Sequence, residues 1–332
     1  MQPKHLTHML FLLLLCLSLL VFLLLCPQEA LPAAKDGLSL WMNTLLPTLL
    51  PFLILSDLLM KTGMLETVLK PFGPFFSKCF GLSPSGGYAM LSGLLCGFPM
   101  GARLSGELYR QRLVSREEAE YLLTFSCSAS PTFLISYLGV GCLHGQIPAG
   151  RIFGPIYLSN LLCMCIFRIC YHRFSSYDTG SSIQTKETST GAFFCMLRQK
   201  KETASLSSPG VLLDVSIMNG FETITRLGGY LLLFSILNAA IAHFWPFSRN
   251  LLYLMSGMME LTTGLHSLSQ SMLSIDQKYL LSMAMVSFGG ACVLAQTRSC
   301  LDQSLSVKPY FIAKLLNMVL AVLLSLIFFQ IL

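Results

Sequence analysis

Residues 155–164 (Pro155-Ile-Tyr-Leu-Ser-Asn-Leu-Leu-Cys-Met164) align without a gap on residues 309–318 (Pro309-Tyr-Phe-Ile-Ala-Lys-Leu-Leu-Asn-Met318), sharing the proline, both leucines and the methionine. Upstream, Tyr121-Leu-Leu-Thr-Phe-Ser pairs with Tyr279-Leu-Leu-Ser-Met-Ala, and Ser92-Gly93 pairs with Ser256-Gly257, in the same order. A chain of this kind has to build two related units rather than one continuous core. Both copies also interrupt apolar segments. Repeats of interrupted membrane segments mark secondary-transporter folds, whose substrate site lies at the repeat interface.

Hydrophobic residues make up 54% of the chain and charged residues 11%, with a mean hydropathy of +0.66. A soluble domain carries about 25% charged residues, so the solvent here is the lipid bilayer. A span needs roughly 20 apolar residues, which predicts spans at 9–26, 38–60, 120–142, 151–171, 220–244, 279–297 and 309–331. The net charge of +6 is accounted for by inward-facing loops rich in Lys and Arg, and implies no nucleic acid partner. Cysteines such as Cys16, Cys163, Cys165 and Cys292 fall inside spans and no CxxC pair occurs, so neither a disulfide framework nor a zinc site is indicated. The apolar run from Leu10 to Leu25 is followed by no A-x-A site and reads as an uncleaved first span.

Two more apolar stretches, 86–108 and 251–271, are interrupted at their midpoints. If both cross the membrane, loop Lys and Arg divide eight inside to twelve outside. If both are re-entrant hairpins, sixteen lie inside and only Lys35, Arg151, Arg249 and Lys278 lie outside. The positive-inside rule selects the hairpins. Arms of about 9–10 residues reach roughly 14 Å, near mid-bilayer. The first tip is expected at Cys96-Gly-Phe-Pro-Met-Gly101 and the second near Leu261-Thr-Thr-Gly264. The predicted fold is therefore an all-α polytopic membrane protein: an inverted repeat of three spans plus one re-entrant hairpin each, with one extra N-terminal span. Its parts are the N-terminal span (1–30), repeat one (31–171), a polar cytoplasmic linker (172–210) and repeat two (211–332). Within repeat one, Pro71-Phe-Gly-Pro-Phe-Phe-Ser-Lys78 reads as an interfacial segment.

Non-helical backbone at membrane depth is tolerated only where it is buried in protein or lines a cavity. Besides the two tips, breaks inside spans occur at Ser126-Cys-Ser-Ala-Ser-Pro-Thr132 and Ser287-Phe-Gly-Gly290, at matching repeat positions. All four are expected to converge on one polar cavity. Candidate substrate contacts are Gly97, Phe98, Pro99, Gly101 and Arg103 at the first tip, and Ser128, Ser130, Pro131 and Thr132 at the first break. Thr263 and Gly264 belong to the second tip, and Ser287, Gly289, Gly290 and Gln296 to the second break. A half-helix N-terminus offers free N–H groups and a positive dipole end to an anion, and Ser or Thr hydroxyls add donors and acceptors.

The ionisable residues inside the spans carry alternatives. Glu260 either holds a coupling proton or sodium ion or is a wet carboxylate in a hairpin mouth. Arg103 either meets an anionic solute or snorkels, and Lys314 is expected to snorkel. Glu222 and Arg226 read as a helix ion pair, His243 beside Trp245 as interfacial, and Ser115-Arg-Glu-Glu118 as a capping box. No G-x-S-x-G, H-E-x-x-H, Walker A or acidic metal cluster occurs in the sequence, so no enzymatic activity, catalytic residue, cofactor or metal is expected.

Cys96-Gly-Phe-Pro-Met-Gly-Ala102, Ser115-Arg-Glu-Glu-Ala119, Phe125-Ser126, Gly257-Met-Met-Glu-Leu-Thr-Thr-Gly264, Ser287-Phe-Gly-Gly290 with Ala295-Gln296, and Lys308-Pro-Tyr310 follow in that order. This motif set resembles the YlbJ-type sporulation integral membrane proteins. That family carries the nucleoside-recognition, or gate, domain and is related to concentrative nucleoside transporters. The likeness runs over nearly the whole chain. Phe98 and Met100 stand where family members often have Gly-Tyr-Pro-Ser-Gly, and Cys127-Ser-Ala-Ser130 where they tend to have Asn and Gly; these departures bear on the ligand more than on the fold. The resemblance implies a secondary transporter of a small anionic metabolite, with dipicolinate the candidate, in a multi-pass bacterial membrane around the forespore. The competing readings are a scaffold or regulator of spore-envelope assembly and a nucleoside carrier. Whether copies associate into an oligomer is left open.

Overall fold

The computed structural model describes residues 3–62, 73–175, 209–302 and 304–331, and every regular element among them is a helix. The apolar α1 (Pro3–Leu25) meets α2 (Pro27–Leu40) at a bend of 109°. Hydropathy predicts a connecting loop over 27–37, and the structure has helix there. Pro27 occupies the first turn, where its missing N–H is no loss, and Glu29 faces the positive dipole end. The helix continues through a π-helical turn, Trp41–Leu45, into α3 (Leu46–Lys61). A short α4 (Gly73–Phe75) runs into a π-helix, Phe76–Phe80, held by Arg168, which donates to the carbonyls of Lys78 and Cys79. Residues 71 and 72 of the expected interfacial segment lie outside the described residues.

From there the two halves use the same order of elements. In the first, α5 (Pro84–Cys96) and α6 (Met100–Arg110) pack on one another as a hairpin. The next helix, α7 (Arg116–Ser126), stops, and helix resumes at Pro131 and continues as a π-helix over Phe133–Cys142. The half closes with α8 (Ala149–Ser175). In the second half, α9 (Pro209–His243) packs along α2 and α3, and α10 (Arg249–Met259) with α11 (Leu261–Ser269) forms the hairpin. The broken helix is α12 (Ile275–Phe288) with α13 (Gly290–Cys300), and α14 (Lys308–Ile331) closes. Of the expected linker, 172–175 and 209–210 are helical, and 176–208 lie outside the described residues.

Serine caps start α5, α7 and α12. Ser83 accepts from the Gly86 N–H and Ser115 from the Glu118 N–H, while Ser274 and Gln277 form a reciprocal capping box. The Glu118 carboxylate also accepts from the Ser83 N–H at 2.6 Å, tying the first hairpin to α7.

Among the described residues, four helices are long and apolar enough to cross a membrane, or up to five spans if the bent α1–α2 pair counts as one. Among the four, 72% of the most apolar stretch of Ile275–Cys300 is buried inside the protein, against 28–39% of the corresponding stretches of Ala149–Tyr171, Pro209–His243 and Lys308–Phe328. The broken helix is therefore shielded, as interrupted backbone in a bilayer must be. The unbroken helices turn leucine-rich faces outward, including Val319, Leu323 and Ile327.

Candidate functional site

The first hairpin turns at Gly97-Phe98-Pro99, close to the expected place. Gly97 has φ +78° and ψ −163°, a conformation that side chains disfavour. The arms touch backbone to backbone: a Cβ on Gly93 would lie 2.9 Å from the Gly101 Cα. Both glycines press on the first break, since a Cβ on either would come within 2.5 Å of the Ser126 carbonyl oxygen. At the break itself, Ser130 accepts from the Phe133 N–H at 3.2 Å and Pro131 stands at the first helical position. This is a capped half-helix N-terminus of the kind expected for residues 126–132. The Ser128 hydroxyl accepts from Asn160 Nδ2 at 2.8 Å.

The second hairpin turns one residue earlier than expected, at Glu260, and Leu261–Gly264 are helical. The cause is the carboxylate. Its Oε1 accepts from the Thr262 N–H at 3.0 Å, and its Oε2 from the Thr263 N–H and hydroxyl at 2.5 and 2.6 Å. The Thr262 hydroxyl lies 2.8 Å from both oxygens. Capping of this strength fixes the helix start at Leu261. Here too the arms touch, with a Cβ on Gly264 only 2.2 Å from the Gly257 Cα. The second break is Gly289 and Gly290, with φ of +86° and +87°. A Cβ on Gly290 would stand 3.2 Å from the Gly257 carbonyl oxygen, and one on Gly289 3.1 Å from the Phe98 ring. The first tip thus rests on the second break, and the second break on the second hairpin. Tyr137 joins the remaining pair, donating to the Thr262 carbonyl at 2.7 Å.

A cavity of about 310 Å³ opens where these parts meet. Of the expected contacts, Phe98, Pro99, Arg103, Ser130, Glu260 and Gln296 line it. Gly97, Gly101, Ser128, Pro131, Thr132, Thr263, Gly264, Ser287, Gly289 and Gly290 are not among its lining residues. Several of them shape the backbone behind it instead. Thr263 bonds to Ser235 and Glu260. Ser287 is 2% exposed, and its hydroxyl has no hydrogen-bond partner among the described residues. Sequence reasoning missed other lining groups, namely Phe133, Tyr230, Arg110 and the Glu222–Arg226 pair, which is closed at 2.6 Å. Arg103 and Arg110 have no described carboxylate within ion-pair distance, so the cavity wall carries two cations without a salt bridge.

Lys314 does not snorkel. It is 2% exposed, and its ammonium donates to the Cys127 carbonyl at the first break. Beside it, Asn317 donates to Asn160 Oδ1 at 2.9 Å, so one polar seam joins α14, α8 and the break. The repeat alignment held a clue, because Lys314 falls on Asn160. His243 bonds to Glu29 at 2.8 Å, stitching α9 to α2.

These features define a multi-pass integral membrane protein with two hairpins and two broken helices gathered at its centre. Residues 42–142 match the model of the Gate family, described as nucleoside recognition, which spans the first hairpin and first break. The chain is similar to the sporulation integral membrane protein YlbJ of Bacillus subtilis (strain 168), at 29% identity over 318 residues, covering 89% of this chain and 76% of that protein. The resemblance carried by the motifs therefore extends along most of the chain. No solved structure matches it.

Proposed function

We propose that this chain is a secondary transporter of a small anionic metabolite, built as two inverted copies of three spans and one re-entrant hairpin. The observation that carries the reading is a shared cavity: both hairpin tips and the first break line it, as do Cys292, Val293 and Gln296 of the helix that follows the second break. Broken helices meeting at a central site are the architecture of alternating access. Arg103 and Arg110 suit an anion, while Phe98, Phe133 and Tyr230 suit a flat ring. An aromatic dicarboxylate such as dipicolinate satisfies both, and the relative's sporulation name favours a membrane around the forespore. Glu260, 4% exposed yet on the cavity wall, is the proposed carrier of the coupling charge.

The nucleoside-recognition match favours a second reading, a nucleoside carrier using the same aromatic walls. Liposomes containing the purified protein, given labelled dipicolinate or labelled uridine, separate the two. Dipicolinate uptake above protein-free liposomes is the expected result. Uptake of uridine alone would replace the substrate assignment, and uptake of neither would leave a membrane scaffold of spore-envelope assembly.

A further inference from the structure

Lys314 places a buried amino group in the centre of the protein, bonded to the Cys127 carbonyl. The helix α7 ends at Ser126, and the last carbonyls of a helix lack intrahelical partners and form its negative dipole end. In transporters with broken helices, such half-helix C-terminal carbonyls coordinate a sodium ion or proton. Here the Cys127 carbonyl accepts from the Lys314 ammonium, delivered by a helix of the other repeat. The rings of Phe98 and Tyr310 lie 4.9 and 5.7 Å from the same nitrogen, a placement that favours a cation. No described carboxylate lies within ion-pair distance of it. The opposite dipole end is filled in the same manner, by the Glu260 carboxylate on the N-terminus of α11.

We propose that the Lys314 ammonium is a built-in cation that stands in for a bound sodium ion at the first break, so that the protein works without sodium. A sodium ion at that carbonyl would displace the ammonium or be repelled by it. The inference rests on the transport reading only for its flux measurement. Its stability measurement is independent of what the protein moves.

Purified wild type is melted in detergent at constant ionic strength in sodium chloride and in choline chloride. The expected midpoints agree within about 1 °C, because a ligand that binds no site adds no stability. A sodium-specific rise of about 2 °C or more would overturn the proposal. Lys314→Ala should melt lower and recover part of the loss in sodium or propylammonium, neither of which moves the wild type. Lys314→Arg should keep the wild-type indifference to sodium. If Lys314→Ala cannot be purified, the wild type and Lys314→Arg decide. A Lys314→Met protein that melts like the wild type would show that the break needs no cation, and would also overturn the idea. In liposomes, solute uptake should be equal in sodium and choline media, and a strict sodium requirement would count against the built-in cation. Absence of all flux would sink the transport reading, while the melting data still decide on Lys314.

Discussion

The two hairpin-and-break modules share a frame and differ in chemistry. In both, a close pair of glycines lets the hairpin arms meet (Gly93 with Gly101, Gly257 with Gly264), and the adjacent broken helix presses on that contact. The first tip, Gly97-Phe98-Pro99, is uncharged, and the first break is four residues long and receives the Lys314 ammonium. The second tip is the carboxylate of Glu260, and the second break is a glycine pair bearing no charge. Backbone geometry is thus what the two modules share. The charge at each dipole end is what the two copies divide between them, a cation in one module and an anion in the other.

The largest effects should come from breaking the shared frame. Gly101→Leu and Gly264→Leu each drive a side chain into neighbouring backbone, which cannot step aside. Each should cost roughly 3 kcal/mol or more and abolish the monodisperse peak on size-exclusion chromatography. If one variant folds normally, the modules are not locked in the same way. The inverted arrangement itself is testable by all-or-none labelling. With re-entrant hairpins, a cysteine placed at Arg112 should be protected from an impermeant maleimide outside intact cells, and one at Arg249 should be labelled. The reverse pattern would end the hairpin topology.

The chemical difference is sharpened at Glu260. Glu260→Gln keeps one oxygen for capping, so the stability loss should be about 1 kcal/mol. Gradient-driven uptake should disappear while solute exchange continues. Normal driven uptake would reduce Glu260 to a helix cap. The smallest effect concerns the loop before α14. The Ser304 N–H and hydroxyl bond to Asp302 at 2.9 and 2.7 Å and hold its carboxyl below the ordinary value of 3.8. A lowered carboxyl pKa stabilises the folded state above the unfolded value, and that benefit fades as pH falls through the folded one. Asp302→Ala should therefore melt slightly below wild type near about pH 7, and the gap should be smaller near about pH 3. An equal gap at both would assign the effect to something other than the charge.

Much of the fold was legible because its signals are local. Gly97 and Pro99 marked the first turn, Pro131 and the Gly289-Gly290 pair marked the breaks, and Ser115 marked a helix start. Each acts through the backbone of its own segment. The second turn was misplaced by one residue because Glu260 read as an ionisable group, when its first action is to bind the N–H groups of Thr262 and Thr263. Lys314 was misread for the opposite reason. On its own helix it looks like a long side chain bound for the interface, and its partner, the Cys127 carbonyl, is 187 residues away.

Hydropathy, the repeat and the position of glycine and proline by themselves determined that the chain is a membrane protein of interrupted helices, since lipid tolerates only backbone that is internally satisfied. Tertiary structure alone decided which residues face the cavity. Ser128, Thr132 and Ser287 are apart from it, while Arg110, Phe133 and Tyr230 join it. A side chain's surroundings depend on which helices arrive beside it, and no local pattern encodes that arrival. The same reason placed a lysine from the second half of the chain against the open carbonyl end of a helix in the first.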